Sequence, residues 1–273
     1  MNNNTMSSIG QRIIVILSLI MVFSGNSFAN IIVLNGLTQE FNGLPGETYK
    51  GIIEVKNLSE SEHAVRIYQK DYFYSFDGIT SYNEPGQQDR SNASWIVCNP
   101  VYLTVPGGEV AMIEYEVTIP EVDTLDGSYW SVVMVEGIKP IDTSNYSRGV
   151  NIQTLIRYAV QVVTNIGETG IRDLQFIGFE TKVDSVNNYL SVDIINTGER
   201  LLRPEIGIEL YDATGEIKGI LKSEKRKIYP GTSVRVMLPL PELEKESYSG
   251  ILIADCGGDY AFGTNLELNL NDQ

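Results

Sequence analysis

The chain has 273 residues and a formal net charge of −15 at pH 7, with 20 Lys and Arg against 35 Asp and Glu. So acidic a balance repels phosphate backbones and anionic lipid, which argues against nucleic acid as a partner. One histidine and two cysteines are too few for the usual zinc ligands or for a disulfide scaffold.

The first element is an apolar run from Ile13 to Phe23, preceded by Arg12 and followed by Ser27-Phe28-Ala29. The run is short for a bilayer span, and its flanks are those of a secretory signal with small residues at the cleavage site. Residues 1–29 are therefore read as a signal peptide cut after Ala29. No cysteine stands at the cut and no other long apolar run follows. The expectation is an exported protein, periplasmic or secreted to the cell surface, with no membrane-spanning segment after cleavage.

From Ile31 onward the pattern has period two. Val110 to Ile119 is the clearest case: Ala111, Ile113, Tyr115, Val117 and Ile119 share one face, and Glu114, Glu116 and Thr118 the other, with Met112 the exception. Such alternation marks a strand with one face on a core and one in water. Further strands are expected at Ile31–Leu37, Tyr49–Lys56, Ala64–Asp71, Tyr129–Glu136 and Ile152–Thr164. In the second half they are expected at Leu174–Val183, Leu190–Ile195, Ile206–Tyr211, Ser233–Leu238, Gly250–Asp255 and Leu266–Leu270.

The order repeats. Val105-Pro106-Gly107 and Tyr229-Pro230-Gly231 each open an alternating run that ends at proline, Pro120 and Pro239. Each is preceded by a strand closing on asparagine (Asn57, Asn196) and followed by a third apolar run. Short strands punctuated by Gly, Pro and Asn indicate antiparallel sandwiches, and the repeat indicates two. Asp126-Gly127-Ser128-Tyr129 before an apolar strand reads as a tyrosine corner, which narrows the class to the immunoglobulin-like kind, or else Tyr129 is an ordinary strand aromatic. The fold class is thus all-β: tandem immunoglobulin-like antiparallel β-sandwich domains at 30–165 and 171–273, joined near Thr164–Gly170. Cys98 and Cys256 are either two buried thiols or an interdomain bridge.

Little chemistry emerges. His63 sits in a polar turn, and Asp255-Cys256-Gly257-Gly258-Asp259 reads as a turn between the last strands rather than a calcium loop. There is no nucleophile elbow, phosphate loop or dinucleotide fingerprint. No catalytic, cofactor-binding or metal residue is assigned, and the chain is read as non-enzymatic with no cofactor.

Two features point to recognition. Asp71-Tyr72-Phe73-Tyr74-Ser75-Phe76-Asp77-Gly78, with Tyr82 beyond, is aromatic-rich; it either contacts protein or packs its own rings. The strand Ile152–Thr164 is apolar on both faces. As a last strand it can lie at an edge whose unpaired N–H and C=O groups accept a strand from another chain. Partner-binding residues are therefore placed at Ile152, Thr154, Ile156, Arg157 and Tyr158, with a protein subunit or surface protein as partner.

The series Gln69-Lys70-Asp71-Tyr72, Arg90-Ser91-Asn92-Ala93-Ser94-Trp95-Ile96, Asn99-Pro100, Pro106-Gly107 and Asp126-Gly127-Ser128-Tyr129-Trp130 resembles bacterial pilus-chaperone-like proteins. It is similar also to surface proteins of the WxL-interacting type, and the resemblance covers about Asn30 to Asn165. It implies two immunoglobulin-like domains in an L shape, a last strand lent to an immature subunit, and two cleft cations gripping the subunit's C-terminal carboxylate. By that resemblance Arg157 is the last-strand cation, whose anion is either an internal carboxylate of this acidic chain or the partner's C-terminal carboxylate. The first-strand cation has no counterpart, since Ile31–Leu37 holds no Arg or Lys. WxL-interacting proteins normally carry a C-terminal membrane segment, and Leu268 to Gln273 is polar. The function this implies is an assembly chaperone for pilus or surface subunits. The competing reading is a surface adhesin or wall-binding structural protein.

Overall fold

The computed structural model describes residues 31–138, 155–183, 188–244 and 246–270. The expected signal peptide at 1–29 and the positions Ile152 and Thr154 lie outside the described residues. The first sheet holds β1 (Ile31–Val33), β3 (Thr48–Asn57), β8 (Val110–Thr118) and β6 (Ile96–Asn99) in the order β1-β3-β8-β6. The second holds β2 (Thr38–Gly43), β10 (Arg157–Ile166), β9 (Ser128–Ile138), β4 (His63–Tyr74) and β5 (Thr80–Asn83) in that order, with β7 (Tyr102–Val105) also on β4. Lettered along the chain, this is A-B-E-D facing A′-G-F-C, the immunoglobulin arrangement.

The remaining strands repeat it. β11 (Leu174–Val183), β12 (Asn188–Asn196) and β15 (Ser233–Pro239) form one sheet. β14 (Ile217–Lys222), β13 (Glu205–Tyr211), β16 (Ser247–Asp255) and β17 (Ala261–Asn269) form the other. This is A-B-E facing C′-C-F-G. Among the described residues every strand pairing is antiparallel except β2 with β10.

That exception corrects one sequence expectation. Ile31–Leu37 does not run as one strand: it leaves β3 after Val33, and the chain joins β10 from Thr38. Gly36 turns the backbone at φ +84°, a conformation glycine adopts without strain. The Asn35 side chain covers the gap, donating to Ile52 O at 2.6 Å and accepting from Glu54 N at 3.1 Å. A side-chain amide thus meets the groups that a strand partner would otherwise meet.

Each sandwich has its own core. In the first, Ile53, Val55, Val65, Ile67, Ile113, Tyr115, Val117, Val133, Val135, Val160 and Val162 interlock. Met112 is exposed beside Glu114, so the odd residue in the alternation of β8 is an outward apolar one. Gly51 admits Tyr115: a Cβ there would stand 2.2 Å from the phenol ring. In the second, Leu190, Val192, Ile194, Ile206, Ile208, Leu210, Leu252 and Leu268 do the same. Cys98 packs in the first core and Cys256 against the second, both as free thiols. Burial pushes both thiols up to about 11.

A third apolar cluster fills the joint. Trp130 and Val163 from the first sandwich meet Leu201 and Tyr229 from the second, with Tyr72 and Tyr74 at the margin. Tyr129 and Trp130 alternate as strand neighbours must. Tyr129 packs on Trp95 at 4.7 Å between centroids, with the Arg90 guanidinium over its ring at 5.4 Å. Trp130 takes the outer face and is buried there by the second sandwich. The joint is hydrogen-bonded as well: Ser128 N donates to Glu199 O at 2.8 Å and Leu201 N to Ser128 Oγ at 2.8 Å. Gly127, at φ +65°, lies so close that a Cβ would stand 2.1 Å from Glu199 O.

Candidate functional site

Strand β10 is paired with β9 from Arg157 to Asn165, but β2 covers its other edge only from Gln161 onward. Among the described residues nothing pairs with Arg157–Val160 on that side. Gln161 N donates to Leu37 O at 2.9 Å. The two-residue period of a strand therefore turns the N–H and C=O groups of Ala159 and Arg157 toward the open edge. Leu155, Ile156 and Leu37 are exposed beside it, while Tyr158 packs half-buried against the first core. An edge of this kind is a template for a further strand.

The outer face next to that edge forms a groove of about 500 Å³ lined by Arg66, Tyr68, Lys70, Tyr82, Met134, Glu136, Arg157 and Ala159. The register explains it. Arg66, Glu136 and Arg157 lie opposite one another on β4, β9 and β10, and Tyr68, Met134 and Ala159 form the next row. Arg157 Nε stands 3.3 Å from Glu136 Oε1, with Arg157 52% exposed and Glu136 14%. Glu136 also accepts from Tyr68 OH at 2.7 Å. Burial and then that carboxylate raise the Tyr68 phenol. Arg66 lies over the Tyr68 ring at 4.6 Å. Lys70 pairs with Glu84.

The joint opens on one side into a cleft of about 720 Å³ whose walls carry Arg172, Arg200, Arg203 and Lys225 against Glu40. Arg203 pairs with Glu40, which also accepts from Asn165 Nδ2 at 2.8 Å. Burial alone would raise the Glu40 carboxyl, but these bonds and the nearby cations Arg203 and Lys227 hold it below its ordinary value. Among the described residues Lys227 Nζ bonds neutral oxygens, Thr38 Oγ1 on β2 and Gln161 Oε1 on β10, the latter at 3.2 Å. Burial and then Arg203 push this ammonium down, while Glu40 opposes them. Gln161 Oε1 also accepts from Tyr229 OH at 2.6 Å.

The sequence-named residues thus divide. Arg157 lies at the groove, away from the cations of the cleft, and Tyr158 and Ile156 flank the edge. Leu155 and Ile156 precede the strand, so the expected span Ile152–Thr164 begins, as described, at Arg157 and runs on to Ile166. The aromatic stretch Asp71–Gly78 packs neither on itself alone nor in solvent. Tyr74 OH donates to Lys227 O at 2.6 Å, and Phe76 N to Ser233 Oγ at 3.1 Å. It binds the second sandwich. Sequence reasoning missed Lys227 and Arg203: both belong to the second half, and only the fold brings them to Thr38, Gln161 and Glu40.

No protein-family model matches the chain, and no curated protein matches it. Solved structures do. The class 5 fimbriae chaperone CfaA has a TM-score of 0.48 at 14% identity, covering 86% of this chain and 98% of that one. A chaperone–tip adhesin complex of CFA/I fimbriae biogenesis has a TM-score of 0.49 at 14% identity, covering 87% and 98%. The CsuC–CsuE chaperone–tip adhesion subunit pre-assembly complex from archaic Csu pili of Acinetobacter baumannii has a TM-score of 0.42 at 12% identity, covering 87% and 98%.

Proposed function

We infer that this is an exported, non-enzymatic protein-binding module of two domains, at 30–165 and 171–273, that takes an extended segment of a partner subunit onto β10, in the manner of a pilus or surface-protein assembly chaperone. The observation that carries the reading is the open edge at Arg157–Val160, flanked by Leu37, Leu155 and Ile156 and continuous with the first core through Tyr158. Main-chain bonds along such an edge supply affinity, and pockets for alternate side chains supply selectivity. The cleft adds a cationic end-stop. In this reading Arg203 and Lys225, which line the cleft, meet a partner's carboxylate from the second sandwich rather than from the first and last strands.

Ala159→Pro tests this. Ala159 directs its N–H to the open edge, so proline removes an edge donor while sparing the ladder to β9. Wild type co-expressed in a bacterial periplasm with the surface subunits of its own organism should co-purify with one of them in stoichiometric amount. The proline variant should fold and lose the subunit. Equal capture by both would overturn edge binding. Recovery of the protein with cell envelopes, and with no subunit, would favour the adhesin reading.

A further inference from the structure

We propose that the groove beside the open edge selects an acidic side chain on the captured strand, and that Arg66 and Arg157 are the residues that read it. The proposal rests on the strand-capture reading and adds the chemistry of the partner. A strand laid along Arg157–Val160 runs about 4.8 Å from β10 and puts alternate side chains on each face. One set points to the core side, next to Tyr158 and Val160. The other set comes to lie beside Arg157 and Ala159, over the groove.

The charge there is unbalanced in a chain that is otherwise acidic. Arg66 and Arg157 face a single carboxylate, Glu136, across the register. Glu136 is mostly covered and already engaged by Arg157 and by the Tyr68 hydroxyl. Among the described residues Arg66 has no ion pair and rests on the Tyr68 ring. Among these residues Arg157 meets Glu136 through Nε and Arg66 meets no carboxylate, which leaves guanidinium donors for a second carboxylate, and charge-assisted bonds from guanidinium to carboxylate are the strong ones. The row behind, Tyr68, Met134 and Ala159, offers an apolar floor to the stem of a glutamate. Lysine at that position would meet like charge, which disfavours the wrong partner.

Three labelled synthetic peptides of alternating sequence test this, each with valine on one face and glutamate, glutamine or lysine on the other. Binding is followed by fluorescence anisotropy at low and high salt. The glutamate peptide should bind about tenfold tighter than the glutamine peptide, the lysine peptide weakest, and the spread should shrink with salt. Arg66→Gln with Arg157→Gln should bring the glutamate peptide down to the glutamine level. Glu136→Gln should raise its affinity further, in a protein whose fold is checked by circular dichroism. Equal binding of the glutamate and glutamine peptides to wild type overturns the groove and leaves edge capture standing. A glutamate preference that survives the double variant also overturns it, by placing the preference elsewhere. Failure of all three peptides to bind overturns edge capture and this proposal together.

Discussion

The indole of Trp130 lies flat on the phenol ring of Tyr229, with centroids 4.8 Å apart and planes 9° apart, across the joint between the two sandwiches. Tyr74 meets the same phenol edge-on at 6.1 Å, and Trp130 Nε1 donates to Tyr72 O at 2.8 Å. The joint is therefore a packed core in miniature. Tyr229→Ala should cost about 3–5 kcal/mol, the range for emptying a buried aromatic site. Chemical denaturation followed by Trp fluorescence is the measurement. A loss below about 1 kcal/mol would mean that the ring packs loosely and contributes little to the joint.

The two sandwiches were legible in the sequence because each strand there needs only its neighbours in the chain to show its face. Val110–Ile119 is such a case. The joint was not legible, because Trp130, Val163, Leu201 and Tyr229 have no periodic relation to one another. The switch of the first strand from β3 to β10 was hidden for a similar reason. An alternating run looks the same whichever sheet receives it, and only Gly36 with Asn35 marks the crossing. In the candidate site, the expectation that the last strand lies at an edge did not foresee β2, which covers β10 from Gln161 onward and leaves only Arg157–Val160 without a partner on that side among the described residues. The groove depends on register across three strands, which one strand's pattern does not reveal.

The joint bears on what a fragment would do. Residues 31–166 keep every strand of the first two sheets and the whole of the first core. They lose the cover over Trp130 and Val163. The fragment should show β-type circular dichroism and cooperative unfolding, at a lower midpoint than the full chain. It should also bind a hydrophobic dye that the full chain does not. A fragment without cooperative unfolding would show that the first sandwich needs the second to fold.

Glu40 gives the joint a pH dependence. Its folded carboxyl is held below the ordinary value, so its contribution to stability is fully present above the unfolded value of about 4.3 and is lost as pH falls through the folded one. Urea midpoints measured between about pH 6 and pH 3 should fall more steeply for wild type than for Glu40→Gln. Parallel slopes would show that Arg203 and Asn165 do not hold the carboxylate in solution.

Tyr129→Phe probes the corner at the start of β9. The corner reading gives its phenol a bond back to the backbone, and the ring is half-buried against Trp95 and Arg90. Water can replace part of what is lost, so the cost should be about 1 kcal/mol. A thermal shift indistinguishable from zero would reduce Tyr129 to a packing aromatic.

Arg157 separates structure from recognition. Its guanidinium is half exposed and its carboxylate partner, Glu136, keeps the Tyr68 hydroxyl when the arginine is removed. An exposed ion pair of this kind contributes about 0–1 kcal/mol. Arg157→Ala should therefore melt close to wild type, whereas a buried arginine with an internal role would cost several times more. The edge N–H and C=O groups survive the substitution, so a subunit held by main-chain bonds should still bind, but more weakly and with less response to salt. A large drop in melting temperature would make Arg157 a structural residue. An unchanged melt with unchanged subunit affinity would remove it from the binding surface.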